Sequence, residues 1–152
     1  MNEFDQGFIT RILVTLIFLL SIPKNVNLFL PLSLIILDGI DSYYVRNVKN
    51  NYRTFAYKIR DKIADSISYL FVFMLFPVGI EFLWVIMYRI LGVILFGLTR
   101  QYQWLVIAPD LAKELLAYKV IYKQDLSVFP FVVGLKVVYE IHHHTIVDPL
   151  VD

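Results

Sequence analysis

Two pairs of aspartates have spacings that match the turns of a helix. Asp38 and Asp41 are three residues apart, and Asp61 and Asp65 are four apart. Residues separated by three or four positions share a helix face, so each pair projects its carboxylates together. Both pairs border strongly apolar sequence, where ionisable side chains are functional candidates by default. Carboxylates gathered in a partly dehydrated place repel one another and take up protons unless cations compensate them. An all-oxygen set of this kind favours hard ions, Mg²⁺, Mn²⁺ or Ca²⁺, over zinc. Mg²⁺ typically completes its shell with substrate phosphates, so a phosphate-bearing, lipid-linked substrate is expected. The blander reading puts these aspartates at helix ends in headgroup water. It would explain one of them easily, and four at helix-face spacings much less well.

The elements that must position these residues follow from composition. Of 152 residues, 59% are hydrophobic, against roughly 45–50% in ordinary globular chains. The excess lies in apolar runs separated by short polar breaks, and a small soluble domain would leave too much of it exposed. The expected architecture is an all-α integral membrane bundle of about six transmembrane helices, forming a single domain over residues 1–152. The candidate spans are Phe8–Ile22, Val26–Val45, Lys62–Phe76, Phe82–Thr99, Trp104–Tyr122 and Val128–Ile141. A helix crossing a roughly 30 Å hydrocarbon core needs about 20 residues, so the shorter runs require bilayer thinning or snorkelling ends. Asp110, Lys113, Glu114 and Lys136 interrupt the last two. The first run contains Arg11 and lacks a small-residue cleavage site, so it is expected to stay in the mature protein.

Charge sets the orientation. Arg46, Lys49, Arg53, Lys58, Arg60 and Lys62 cluster between the second and third runs, and an excess of Lys and Arg marks the cytoplasmic side. A multi-pass protein with both termini and the aspartate patch on the cytoplasmic side is therefore expected. The net charge of +1 offers no field for nucleic acid, and the absence of cysteine excludes disulfides, thiol nucleophiles and thiolate metal sites.

The stretch Asp38-Gly39-Ile40-Asp41-Ser42-Tyr43-Tyr44-Val45-Arg46, followed by Asp61-Lys62-Ile63-Ala64-Asp65, resembles the signature of the CDP-alcohol phosphatidyltransferases. That signature reads D-x-x-D-G-x-x-A-R, a spacer, then G-x-x-x-D-x-x-x-D. Ser42 and Tyr57 stand at its glycine positions, Val45 replaces its alanine, and the spacer is slightly longer. The resemblance implies six helices around a polar cavity open to the cytosol, a homodimer, and Mg²⁺ or Mn²⁺ as cofactor. It implies transfer of a phosphatidyl group from a CDP-linked lipid to a small alcohol, with release of CMP; weaker echoes of phosphatidylglycerophosphate synthases point to glycerol 3-phosphate. On this reading Asp38, Asp41, Asp61 and Asp65 hold metal, and Asp65 is also the catalytic base. Arg46, Ser42 and Tyr57 lie at the nucleotide, where Tyr57 crowds or redirects the cytidine. Arg89, Arg100 and Lys113 are assigned to an acceptor phosphate. A catalytically degenerate relative serving as a membrane scaffold or binding protein, and a small transporter, are the competing classes.

Arg89 and Arg100, eleven residues apart, are expected to share a helix face and form a cationic stripe. Alternatively, Arg89 pairs with a carboxylate such as Asp65 and Arg100 snorkels. Gly92 and Gly97 would permit close helix approach at a dimer contact. His142, His143 and His144 fan out by about 100° each on a helix, so one ion could not easily use all three; the tail is read as solvated.

Overall fold

The computed structural model describes residues 3–44, 54–122 and 127–143. These residues hold seven helical segments and no strand: α1 (Glu3–Ser21), α2 (Phe29–Tyr44), α3 (Phe55–Leu75), α4 (Ile80–Thr99), α5 (Gln103–Ile107), α6 (Ala112–Ile121) and α7 (Phe129–His142). The all-α expectation holds for them.

Local chemistry explains where the helices begin and end. Thr54 has extended backbone and its hydroxyl accepts the Tyr57 N–H, capping α3. That helix therefore starts at Phe55 rather than at the expected Lys62. Lys58, Arg60 and Asp61 interrupt the apolar run without interrupting the helix, because their helix propensities are tolerable. Phe76 ends α3 one residue before Pro77, a position from which the α conformation is disfavoured. Gly79 enters α4 with φ +88°, in the region where only glycine is unstrained. At the other end of α4, Arg100 takes the left-handed conformation and its N–H reaches Phe96 O at 2.8 Å. Pro130 sits in the first turn of α7, where its missing N–H costs nothing.

The expected single span Trp104–Tyr122 is corrected to two helices, α5 and α6, with Ala108 to Leu111 between them. Pro109 is the cause: it cannot continue a helix, and Ala108 before it has left the α region (φ −108°, ψ 70°). Two buried carbonyls at the end of α5 are met by Arg89, whose Nη1 donates to Ala108 O at 2.7 Å and Leu105 O at 3.3 Å. Asp110 Oδ1 accepts the Ala112 N–H at 3.3 Å and so opens α6.

Packing places α3 between α1 and α4, and α6 against both α2 and α4. The main core joins Leu19, Leu34, Val72, Phe82, Ile86 and Leu116 from those helices. A smaller core of Val93, Phe96 and Leu105 lies where α4 meets α5. Gly92 belongs to this junction: a Cβ there would stand 2.5 Å from Ala108 Cβ and 2.9 Å from Trp104 O. Its lack of a side chain lets α4 approach α5 within the chain, and Gly97 faces Ile59 of α3; both glycines serve contacts within the chain.

Among the described residues, one helix, α4, is long and apolar enough to cross a membrane, while Phe8–Ser21 and Phe29–Gly39 are shorter apolar stretches. The exposed face of α4 carries Ile80, Trp84, Met87, Leu91, Ile94 and Leu98, while Phe82, Ile86, Arg89, Val93 and Phe96 are buried opposite. Both stripes follow the helical period, so the exposed side is as apolar as the packed one. Exposed apolar positions recur on α1 (Leu13, Ile17, Leu20) and α2 (Phe29, Leu32, Ile36).

Candidate functional site

Helices α1, α2, α3 and α6 each bring ionisable groups to one place. Asp38 comes from the C-terminal half of α2, and Asp61 and Asp65 from successive turns of α3. One oxygen from each of these carboxylates lies within 4.8 Å of the others. Helix-face spacing accounts for the α3 pair; packing of the chain accounts for Asp38 joining it.

Arg11, from the middle of α1, reaches into this cluster. Its Nη1 donates to Asp61 Oδ1 at 2.6 Å, and its Nη2 donates to Asp65 Oδ1 at 2.6 Å and Asp38 Oδ1 at 3.1 Å. Two lysines meet the outer oxygens. Lys62 Nζ lies 2.7 Å from Asp61 Oδ2 and 3.8 Å from Asp65 Oδ2. Lys113 Nζ lies 2.9 Å from Asp38 Oδ2 and 3.6 Å from Asp110 Oδ2. Asp61, Asp65 and Arg11 keep less than a tenth of their side-chain surface, whereas Asp38 keeps a third. The protein's own cations, Arg11, Lys62 and Lys113, thus compensate carboxylates for which divalent ions were the expected compensation. Burying such charges costs several kcal/mol per ion, and only close pairing with good geometry offsets that; the guanidinium fork supplies such geometry.

The network extends beyond the aspartates of the motif. Tyr69, fully packed inside α3, donates its hydroxyl to Asp110 Oδ2 at 2.5 Å. Lys113 therefore joins the aspartate cluster to a second buried polar pair. A cleft lies alongside, lined by Arg11, Asp38, Asp65, Ser68, Tyr69 and Lys113 among others. Its free space, open to solvent at the mouth, is about 250 Å³.

The remaining expected site residues fall as follows. Lys113, assigned to an acceptor phosphate, bonds Asp38 instead of standing apart from the carboxylates. Arg89 and Arg100 do not form the expected stripe. Arg89 is buried on the carbonyls of α5, whereas Arg100 is exposed and sits 4.9 Å from the centre of the Phe55 ring. One helix turns by about 20° more than three full turns over eleven residues, but Arg100 has left the helix for the left-handed cap, which re-aims it. Tyr57 is buried near the start of α3 and is outside the lining of the cleft. Asp41 and Ser42 lie on the α2 backbone with their side chains outside the described residues, and Arg46 lies outside the described residues altogether.

Sequence reasoning missed Lys62, Tyr69 and Asp110, and gave Arg11 only a passing place. Their signal was available: Arg11 and Asp110 are charges inside apolar runs, and such charges find partners.

No family model matches the chain, and neither a curated protein nor a solved structure matches it.

Proposed function

We propose that this chain is a multi-pass membrane protein that transfers a phospho-lipid group from a CDP-activated lipid to a small alcohol such as glycerol 3-phosphate, releasing CMP. The observation that carries this reading is the convergence of Asp38, Asp61 and Asp65, whose ligand oxygens lie within 4.8 Å of one another. Three carboxylates at that separation fit a hard divalent ion, since their donor set is all oxygen. Asp38, Asp61 and Asp65 would hold Mg²⁺ or Mn²⁺, and the motif resemblance adds Asp41 to them. Bound there, the ion would neutralise the donor's pyrophosphate and the leaving CMP.

The chain's own residues supply the rest. Asp65 takes the proton of the acceptor hydroxyl as the acceptor oxygen bonds to the lipid phosphorus and the bond from phosphorus to CMP breaks. Lys62 and Lys113, each on an outer carboxylate oxygen, hold the aspartates in orientation. The apolar outer stripes of α1, α2 and α4 support a lipid-facing surface, and the basic residues from Arg46 to Lys62 support a cytoplasmic site. A homodimer and the Arg46 contact to the nucleotide rest on the motif resemblance.

One observation favours a second reading, a degenerate relative that binds or scaffolds. Arg11 already satisfies one oxygen of each converging carboxylate, so the folded state needs no metal for charge balance. A single assay separates the two. The detergent-purified protein is given CDP-diacylglycerol and a panel of acceptors, and CMP release is followed with Mg²⁺, with Mn²⁺ and with EDTA. The enzyme reading expects release that EDTA abolishes. No release from any acceptor, with nucleotide binding retained, would leave the scaffold reading; loss of nucleotide and metal binding together would return the chain to the transporter class.

A further inference from the structure

We propose that Arg11 is a resident counter-ion which a divalent cation must displace, so that metal loading of the carboxylate cluster is an exchange of cations. This rests on the reading that Asp38, Asp61 and Asp65 hold the metal. Among the described residues, the guanidinium is the one cation that donates to all three carboxylates, through Nη1 to Asp61 and Nη2 to Asp38 and Asp65. The outer oxygens of Asp61 and Asp38 are already taken by Lys62 and Lys113, and that of Asp65 faces Lys62 at 3.8 Å. With Arg11 in place, one oxygen of each carboxylate is already bonded to a cation where an entering ion would need it. Lys62 and Lys113 bond the other oxygens of Asp61 and Asp38, whereas the guanidinium bonds one oxygen of each of the three carboxylates, where a shared ion would have to sit.

Electrostatics points the same way. Adding a divalent ion beside Arg11 would change the charge of a largely buried cluster by two units, whereas exchanging it for Arg11 changes that charge by one. In a site of low polarity the smaller change costs less. The arginine stem has enough rotatable bonds to withdraw its head group without moving the α1 backbone, and long cationic side chains near apolar surface readily carry their heads to a wetter place. The cluster is therefore self-compensated before loading, and Arg11 sets a threshold for the metal.

The test uses the full chain in detergent, with Mn²⁺ binding read by electron paramagnetic resonance and thermal unfolding measured in EDTA and in Mn²⁺. Arg11→Gln is expected to bind Mn²⁺ more tightly than wild type by about tenfold or more, the size of one hydrogen bond to a charged group. Its Tm should fall in EDTA and recover with Mn²⁺, while that of the wild type moves little. Arg11→Lys, which keeps the charge but loses the fork, should lie between them. Equal Mn²⁺ affinity in wild type and Arg11→Gln would overturn the exchange and leave the metal site standing. Binding by neither would overturn both. If Arg11→Gln cannot be purified folded, Arg11→Lys decides: tighter binding than wild type supports the exchange, and equal binding overturns it.

Discussion

Lys113 Nζ stands 2.9 Å from Asp38 Oδ2, across 75 residues of sequence, and ties the start of α6 to α2. The same ammonium is 3.6 Å from Asp110 Oδ2, so it couples the aspartate cluster to the Tyr69–Asp110 pair. Removing it leaves two carboxylates short of a partner. Lys113→Gln should lower stability by about 1–2 kcal/mol, at the modest end because Asp38 is partly exposed. Denaturant unfolding in detergent checks this, and the double variant Asp38→Asn/Lys113→Gln should lose less than the two single losses added, as coupled partners do.

Tyr69→Phe tests the other end of the network. The hydroxyl donates to a buried carboxylate at 2.5 Å, and hydrogen bonds to charged groups contribute about 1.5–3 kcal/mol. A loss of that size in thermal or denaturant unfolding is expected, with the ring's packing in the core unchanged. No loss would mean that Asp110 is satisfied without Tyr69.

The glycines of the bundle should respond differently to the same methyl group. At Gly92 a Cβ would meet Ala108 Cβ at 2.5 Å and Trp104 O at 2.9 Å, the latter being backbone that cannot yield cheaply; at Gly134 it would meet nothing within 4 Å. Gly92→Ala should therefore destabilise by about 1–3 kcal/mol through overpacking. Gly134→Ala, inside α7, should be neutral or stabilising by up to about 1 kcal/mol through helix propensity. Melting curves of the two variants, measured side by side, check the contrast.

For the chemistry, Asp65→Asn removes the proposed base and one converging carboxylate while keeping nearly the same shape. CMP release should fall by about 10²-fold or more, with the helical circular dichroism spectrum retained. Unchanged release would remove Asp65 from the reaction.

Much of this arrangement was legible in the sequence because it depends on local rules. The pairing of Asp61 with Asp65 follows from four-residue spacing, and the apolar stripes of α4 from a period that hydropathy reveals. The break at Pro109 was equally local, but charge and hydropathy alone did not weigh it. What spacing could not show is which distant residue meets which. Arg11 and Asp65 are 54 residues apart, and nothing in either neighbourhood names the other. Arg89 illustrates the same limit: its eleven-residue step to Arg100 suggested a shared stripe, but α5 offered carbonyl oxygens that its guanidinium could satisfy. Tertiary partners, rather than helical phase, decided both cases.

The most direct test of the whole account is an Mn²⁺ titration, followed by electron paramagnetic resonance, of the wild type against Asp38→Asn, Asp61→Asn and Asp65→Asn. Because the three carboxylates meet at one point, each substitution alone should markedly weaken Mn²⁺ binding. Variants that bind Mn²⁺ as the wild type does would contradict a shared metal site, and the proposed lipid chemistry with it.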